Sequence, residues 1–296
     1  MKKRLMAAVL STAMAATMLL TGSISVQAAD AAAANDPAVE LIFTSVSVSG
    51  DSHTEAMYEF ADKVEELSGG SVTCKCYDNG SLFSSENEFD ALLNGDADLA
   101  YISFPTIATQ IPSYSMFASG YLFSSYEHMT SVLNGDIGLN KIRPQIEETL
   151  NIKPLSSFYL GSRVINTREK EINSYDDMNG LLLRMPNSEA WLFLGEALGA
   201  NPTPLSFSEL YTALQTGAVD AQDNPLPSIE SAKFYEVTKY IAITNHVVDS
   251  IMPCINGDTW NSMTEAQQEA VTEAMEYASN SWSKPFTLRK SSNHIA

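Results

Sequence analysis

Two arginines stand where a guanidinium has no ordinary reason to be. Once the basic leader is set aside, the chain has five: Arg143, Arg163, Arg168, Arg184 and Arg289. Arg184 lies inside the apolar run Leu181-Leu182-Leu183-Arg184-Met185, where Leu181, Leu183 and Met185 alternate on one face. A parallel strand of that composition is covered on both faces. A charge buried there needs an anionic partner, because an unpaired one costs several kcal/mol. That partner is either one of the chain's own carboxylates or something the chain binds; the remaining alternative is a head group that snorkels to water. Arg163 poses the same question. It follows Gly161-Ser162 and precedes Val164-Ile165, a small-residue approach that suits either a close ligand or a strand-end turn. Read alone, it is a turn.

Signatures of catalysis do not accompany these arginines. The chain has no G-x-S-x-G elbow, no glycine-rich phosphate loop and no H-E-x-x-H or Cys/His ligand set. His53 and His246 read as structural or surface histidines, and Asp176-Asp177 and Glu147-Glu148 as solvated faces. Cys74 and Cys76 alternate along a strand and cannot easily bridge one another, while Cys254 is distant, so all three read as small buried hydrophobes. No metal and no cofactor is expected. A hydrolase using two cleft carboxylates stays open, but no pair is singled out.

The elements that must hold the arginines follow from periodicity. Leu41-Ile42-Phe43 starts a first strand. Ser52 with Glu55 reads as a capping box for a helix burying Met57, Phe60, Ala61, Val64 and Leu67 and ending at Gly69-Gly70. Val72, Cys74 and Cys76 alternate on a second strand; Ser85 with Glu88 reads as the box of a helix stopped by Gly95; Asp98–Ser103 is a third strand. This is a βαβαβ unit. A second unit follows: strands over Leu155–Leu160 and Leu181–Met185, a helix capped by Asn187, one capped by Ser206 with Glu209, a helix then strand over Phe234–Ile243, a strand over Ile251–Ile255, and a last helix capped by Thr264 with Gln267. The fold class is α/β, with two lobes crossed more than once by the chain and a cleft between them.

Length and charge set outer bounds. The 296 residues carry 45% hydrophobic and 18% charged side chains, enough for a core. Residues 1–29 form a signal peptide: Lys2-Lys3-Arg4, an apolar run from Leu5 to Leu20, and a small-residue cleavage site near Ala28. Its removal takes the formal charge from −19 to −22. A chain this acidic without a basic stripe excludes nucleic acid as a partner and suits a soluble monomer. Residues 30–37 are a flexible lead-in.

From residue 161 onward the order of motifs is specific. Gly161-Ser162-Arg163, Asp177-Met178-Asn179-Gly180 and Leu183-Arg184-Met185-Pro186-Asn187 are followed by the run from Leu198 to Pro204. Then come Phe207–Gly217, Val219-Asp220-Ala221-Gln222-Asp223-Asn224-Pro225, and Phe234–Tyr240. This order resembles the substrate-binding proteins of tripartite ATP-independent periplasmic (TRAP) transporters, of the C4-dicarboxylate and sialic-acid type. Asp223 stands where that family has Glu, Ala221 where it has Gly, and the chain ends at Ala296, short of the family's C-terminal helical segment.

The resemblance implies a periplasmic-binding-protein architecture with a central cleft and hinge. Lobe I would comprise residues 38–160 plus 250–288, and lobe II residues 161–249 plus 289–296. The function implied is capture of a small carboxylate outside the cytoplasm, in the periplasm or at a cell surface, for delivery to the membrane permease subunits of a TRAP transporter. By that likeness Arg184 pairs with the ligand carboxylate and Asn224 helps to hold it; Arg163 is a second contact, Phe207 lines the cleft, and Asn187 belongs to the same set. Ser103 and Ser47, near strand ends, are further expected contacts. A sensor-presenting module and a secreted hydrolase are the competing readings.

Overall fold

The computed structural model describes residues 36–282. The signal peptide, nearly all of the lead-in, Arg289 and the 289–296 segment assigned to lobe II lie outside the described residues. The βαβαβ unit forms as the periodicity requires. Strand β1 (Val39–Thr44) runs parallel to β2 (Val72–Tyr77) and to β3 (Leu99–Ile102). Between them, helix α1 (Ser52–Leu67) buries Met57, Phe60 and Val64 at the expected three- and four-residue spacing. Helix α2 (Glu88–Asn94) buries Phe89 and Leu92 and stops at Gly95 in the left-handed conformation.

Two of the expected boxes are displaced. Asp51, not Ser52, is the N-cap of α1, and the Glu55 carboxylate accepts the Gly50 N–H at 2.9 Å. Asn87, not Ser85, precedes α2, and Glu88 makes no capping bond there. Ser206 does sit at the N-cap of α4 (Phe207–Thr216), but its hydroxyl meets Ser208 instead of a backbone amide. The last helix, α5 (Glu265–Trp282), has its box complete: Thr264 N–H donates to Gln267 Oε1, and Gln267 N–H to Thr264 Oγ1. Helices α1 and α5 cover one face of β1–β3 around Phe43, Phe60, Leu99 and Val271. Phe104, Ile107, Met129 and Ile146 cover the other face.

The second half of the sheet contains β5 (Phe158–Thr167), β6 (Leu182–Met185), β7 (Asn201–Pro204) and β8 (Ala221–Pro225). Strand β6 is parallel to β7 and β8, and β5 is antiparallel to β8. Helix α3 (Glu189–Ala197) buries Trp191 and Leu194 against Leu183 and Met185 on one face, while α4 packs Leu210 and Leu214 with Val164 on the other. One long strand, β9 (Tyr240–Asn256), joins the halves. Its end pairs with β3 and with the short β4 (Ile152–Pro154), its start with β5, giving the order β2-β1-β3-β9-β5-β8-β6-β7. Each half thus has its own pair of apolar clusters, and the architecture is two-lobed.

The connection corrects the local reading of Gly161. Neither the strand ending at Leu160 nor two separate strands, one ending at Ile243 and one over Ile251–Ile255, exist as such; β5 continues through Gly161-Ser162-Arg163, and β9 is unbroken over 17 residues. Gly161 is at φ +135°, and a Cβ there would stand 2.4 Å from Pro225 Cβ. The glycine marks where two strands approach too closely for a side chain, not where the chain turns. The boundaries at 160/161 and 249/250 therefore fall inside continuous strands.

Candidate functional site

A cleft of about 370 Å³ opens between the two halves, within the range of small-molecule sites. All seven expected residues line it: Arg184, Arg163, Asn224, Phe207 and Asn187 from the second half, Ser103 and Ser47 from the first. What they do there differs from residue to residue.

Arg184 comes from the middle of β6, with Leu183 and Met185 buried on the opposite face. It is 2% exposed, its Nε donates to the Leu205 carbonyl at 2.8 Å, and its guanidinium lies 6.0 Å from the Phe207 ring. No carboxylate among the described residues is within ion-pair distance of it. Burial pushes its pKa down to about 10; Asp223 counteracts this and Arg163 adds to it. The group is still fully cationic at neutral pH. The internal bridge and the snorkel both fail, and what is left is a dry guanidinium facing a cleft.

Arg163 is the opposite case. Its Nε and Nη2 hold the Asp223 carboxylate at 2.8 and 3.1 Å, its Nη1 holds Asp249 at 2.7 Å, and Nη2 also donates to the Asp223 carbonyl at 2.6 Å. The Trp191 ring stacks on it at 4.4 Å. Burial alone would raise the pKa of Asp223, but Arg163 and His246, whose Nε2 is 3.2 Å away, hold it down to about 2. For Asp249 burial prevails and the pKa is raised, with Arg163 offsetting part of it. Arg163 is at the cleft, as expected, but its fork is already taken by two carboxylates. His246, expected to be a structural or surface histidine, is a fully buried member of this cluster and so structural.

Asn224 is aimed by a relay of amides. Its Nδ2 donates to Gln222 Oε1 at 2.6 Å, Gln222 Nε2 donates to Asn166 Oδ1 at 3.1 Å, and Asn166 is tied to Thr238 and the Tyr240 carbonyl. Its own Oδ1 accepts from Arg163 Nη2 at 3.4 Å. Ser103 caps the short helix Phe104–Ile107, accepting the Thr106 N–H and meeting the Thr106 hydroxyl at 2.9 Å. Ser47 is buried, and its carbonyl accepts the Asn79 N–H. Asn187 is exposed at the rim, and capping of α3 falls to Ser188, whose Oγ accepts the Trp191 N–H.

Beyond Ser47 and Ser103, sequence reasoning did not assign the wall contributed by the first half. Glu88, Tyr101, His53 and Asp51 line the cleft, and all four are buried. Burial drives the Glu88 carboxyl well up, with the Thr44 hydroxyl its one offsetting neighbour. Asp51 is the reverse: burial raises its pKa, yet His53 at 3.1 Å with Ser228 and Ser231 pulls it down to about 2. The same Ser-x-x-Glu spacing that suggested a helix cap at Ser85 conceals Glu88. Among the described residues, no group of three or more His, Cys, Asp or Glu could hold a metal ion.

Residues 43–286 match the bacterial extracellular solute-binding proteins, family 7 (DctP). The chain is similar to the sialic acid-binding periplasmic protein SiaP of Vibrio cholerae serotype O1, with 33% identity over 216 residues, 73% of this chain and 67% of that protein. Among solved structures it resembles a TRAP periplasmic solute-binding protein from Roseobacter denitrificans with bound 3-deoxy-D-manno-oct-2-ulosonic acid. That match has a TM-score of 0.78 and 39% identity, covering 83% of this chain and 81% of the other. It also resembles one from Sulfurospirillum deleyianum with bound succinate, at a TM-score of 0.77 and 26% identity, over 83% and 78% of the two chains.

Proposed function

The chain belongs to the bacterial extracellular solute-binding proteins of family 7, and on that premise we propose that it captures a small organic anion by its carboxylate and delivers it to the membrane subunits of a TRAP transporter. The observation that carries the reading is Arg184: a buried guanidinium at the cleft with one carbonyl bond and no carboxylate of its own. A ligand carboxylate would complete it with a planar two-point fit, and desolvation on closure would strengthen the pair. Asn224 and Phe207 would flank that carboxylate. The protein acts as an exported monomer, cleaved near Ala28, and binds without turnover; Asp223 and the cleft residue Asp249 are both committed to Arg163.

Closure would move lobe I, residues 38–160 with 250–288, against lobe II, residues 161–249 with 289–296, about the strands β5 and β9 that cross between them. Titration calorimetry and thermal shift with sugar acids and C4 dicarboxylates test the reading. A carboxylate ligand should bind and raise the melting point, its methyl ester should not, and small-angle scattering should show a more compact particle at saturation. Tight binding of a neutral ester would refute the carboxylate anchor.

A further inference from the structure

Charge in the cleft is arranged so that only one anionic group can be met. Arg184 has no carboxylate, but Arg163 has two. Asp223 lies in β8 and is shared with His246. Asp249 reaches Arg163 from β9, lines the cleft, and keeps its other oxygen on the Ser250 N–H at 2.8 Å. Two carboxylates on one guanidinium leave that cluster no cationic excess to offer a ligand.

The facing wall is no better for an anion. Asp51 is an ionised carboxylate there. Glu88 and Tyr101 are 5% and 4% exposed, and Glu88 Oε1 and the Tyr101 hydroxyl have no hydrogen-bond partner. Buried polar atoms left in that state cost free energy until something joins them. A ligand hydroxyl, which both donates and accepts, can satisfy a carboxyl and a phenol. A second ligand carboxylate would instead face the ionised Asp51 carboxylate with like charge.

Resting on the carboxylate-capture reading, we infer that the cleft selects a hydroxylated monocarboxylate of the sugar-acid class over dicarboxylates, with Asp249 and Glu88 as the specificity-determining residues. Asp249 denies Arg163 to a second carboxylate, and Glu88 receives hydroxyls on the wall that the first half contributes.

The wild-type protein, titrated calorimetrically with a panel of sugar acids and with succinate and malate, gives the first test. The strongest sugar acid should exceed the strongest dicarboxylate by about tenfold or more in affinity. Dicarboxylates binding as well or better would overturn the inference and leave carboxylate capture standing; binding by neither class would overturn both. Asp249→Asn keeps the shape and the bond to Ser250, while Asp223 still holds Arg163. It should raise succinate affinity by roughly tenfold, and no gain in a folded variant removes Asp249 from the inference. Glu88→Met should weaken the sugar acid by roughly tenfold without lowering the melting point, because it deletes an unpaired buried group. Unchanged sugar-acid affinity rejects the role of Glu88. Should Asp249→Asn not fold, the wild-type panel still decides.

Discussion

Arg163 and Arg184 share one half of the cleft and are equally buried, yet their surroundings could hardly differ more. Around Arg163 the protein has finished its own chemistry: two carboxylates, a backbone carbonyl and an indole face satisfy the guanidinium. Around Arg184 it has stopped after one carbonyl. The contrast teaches where stability and affinity separate. A completed buried pair fixes the fold and has little left for a ligand; an incomplete one strains the free protein and is relieved by binding. Mutating each arginine should therefore give opposite phenotypes, and the comparison can be broken by experiment.

The largest effect expected is on stability. Arg163→Ala leaves Asp223 and Asp249 buried without their cation, and should cost about 3–5 kcal/mol of unfolding free energy, read as a lower urea midpoint at unchanged slope. A loss below roughly 1 kcal/mol would mean that Asp223 and Asp249 are not held as described.

Next comes affinity. Arg184→Ala should weaken ligand binding by on the order of 2–5 kcal/mol, roughly 30- to several-thousand-fold. Its ligand-free stability should stay level or rise, since a desolvated charge is removed. Arg184→Lys should also bind poorly, because an ammonium cannot reproduce the fork. If Arg184→Ala unfolded as readily as Arg163→Ala, the two arginines would be alike and the comparison would fail.

The same contrast explains what could be read without coordinates. The βαβαβ unit was legible because periodicity and glycine stops are local signals, and Phe60 or Leu92 can be placed from spacing alone. Arg184 was legible because a charge amid Leu181, Leu183 and Met185 is anomalous in any fold. The state of Arg163 was not: its partners lie 60 and 86 residues away, and nothing local says that Asp249 will reach it before a ligand does. Gly161 misled for a related reason, since the atom it makes room for belongs to Pro225 on another strand. The box rule failed at Ser85 and held at Thr264 with similar spacing. Whether a Glu or Gln reaches back depends on what else its side chain faces, and Glu88 faces the cleft.

Asp223 and Glu88, from the two halves, should also part company with pH, an effect smaller than either arginine mutation. Asp223, beside Arg163, has its folded pKa lowered from 3.8 to about 2. A lowered folded pKa gives stability that is present above pH 4 and lost as pH falls through about 2, on the order of 2 kcal/mol for this group. Glu88 on the facing wall has its pKa raised by burial. Its sign is the reverse: its contribution is fully present below about pH 4.5 and lost as pH rises toward the folded pKa, because the folded state there holds a proton that the unfolded chain has released. Urea midpoints across pH should therefore show two separable limbs. Comparing Asp223→Asn with wild type should flatten the fall below pH 4, whereas Glu88→Gln should flatten the decline above pH 4.5 and leave the acid limb unchanged. If Glu88→Gln instead alters the acid limb, or leaves the upper one as steep as before, then Glu88 is not the buried neutral carboxyl of the facing wall. The contrast between the paired Asp223 and the unpaired Glu88 would then be lost.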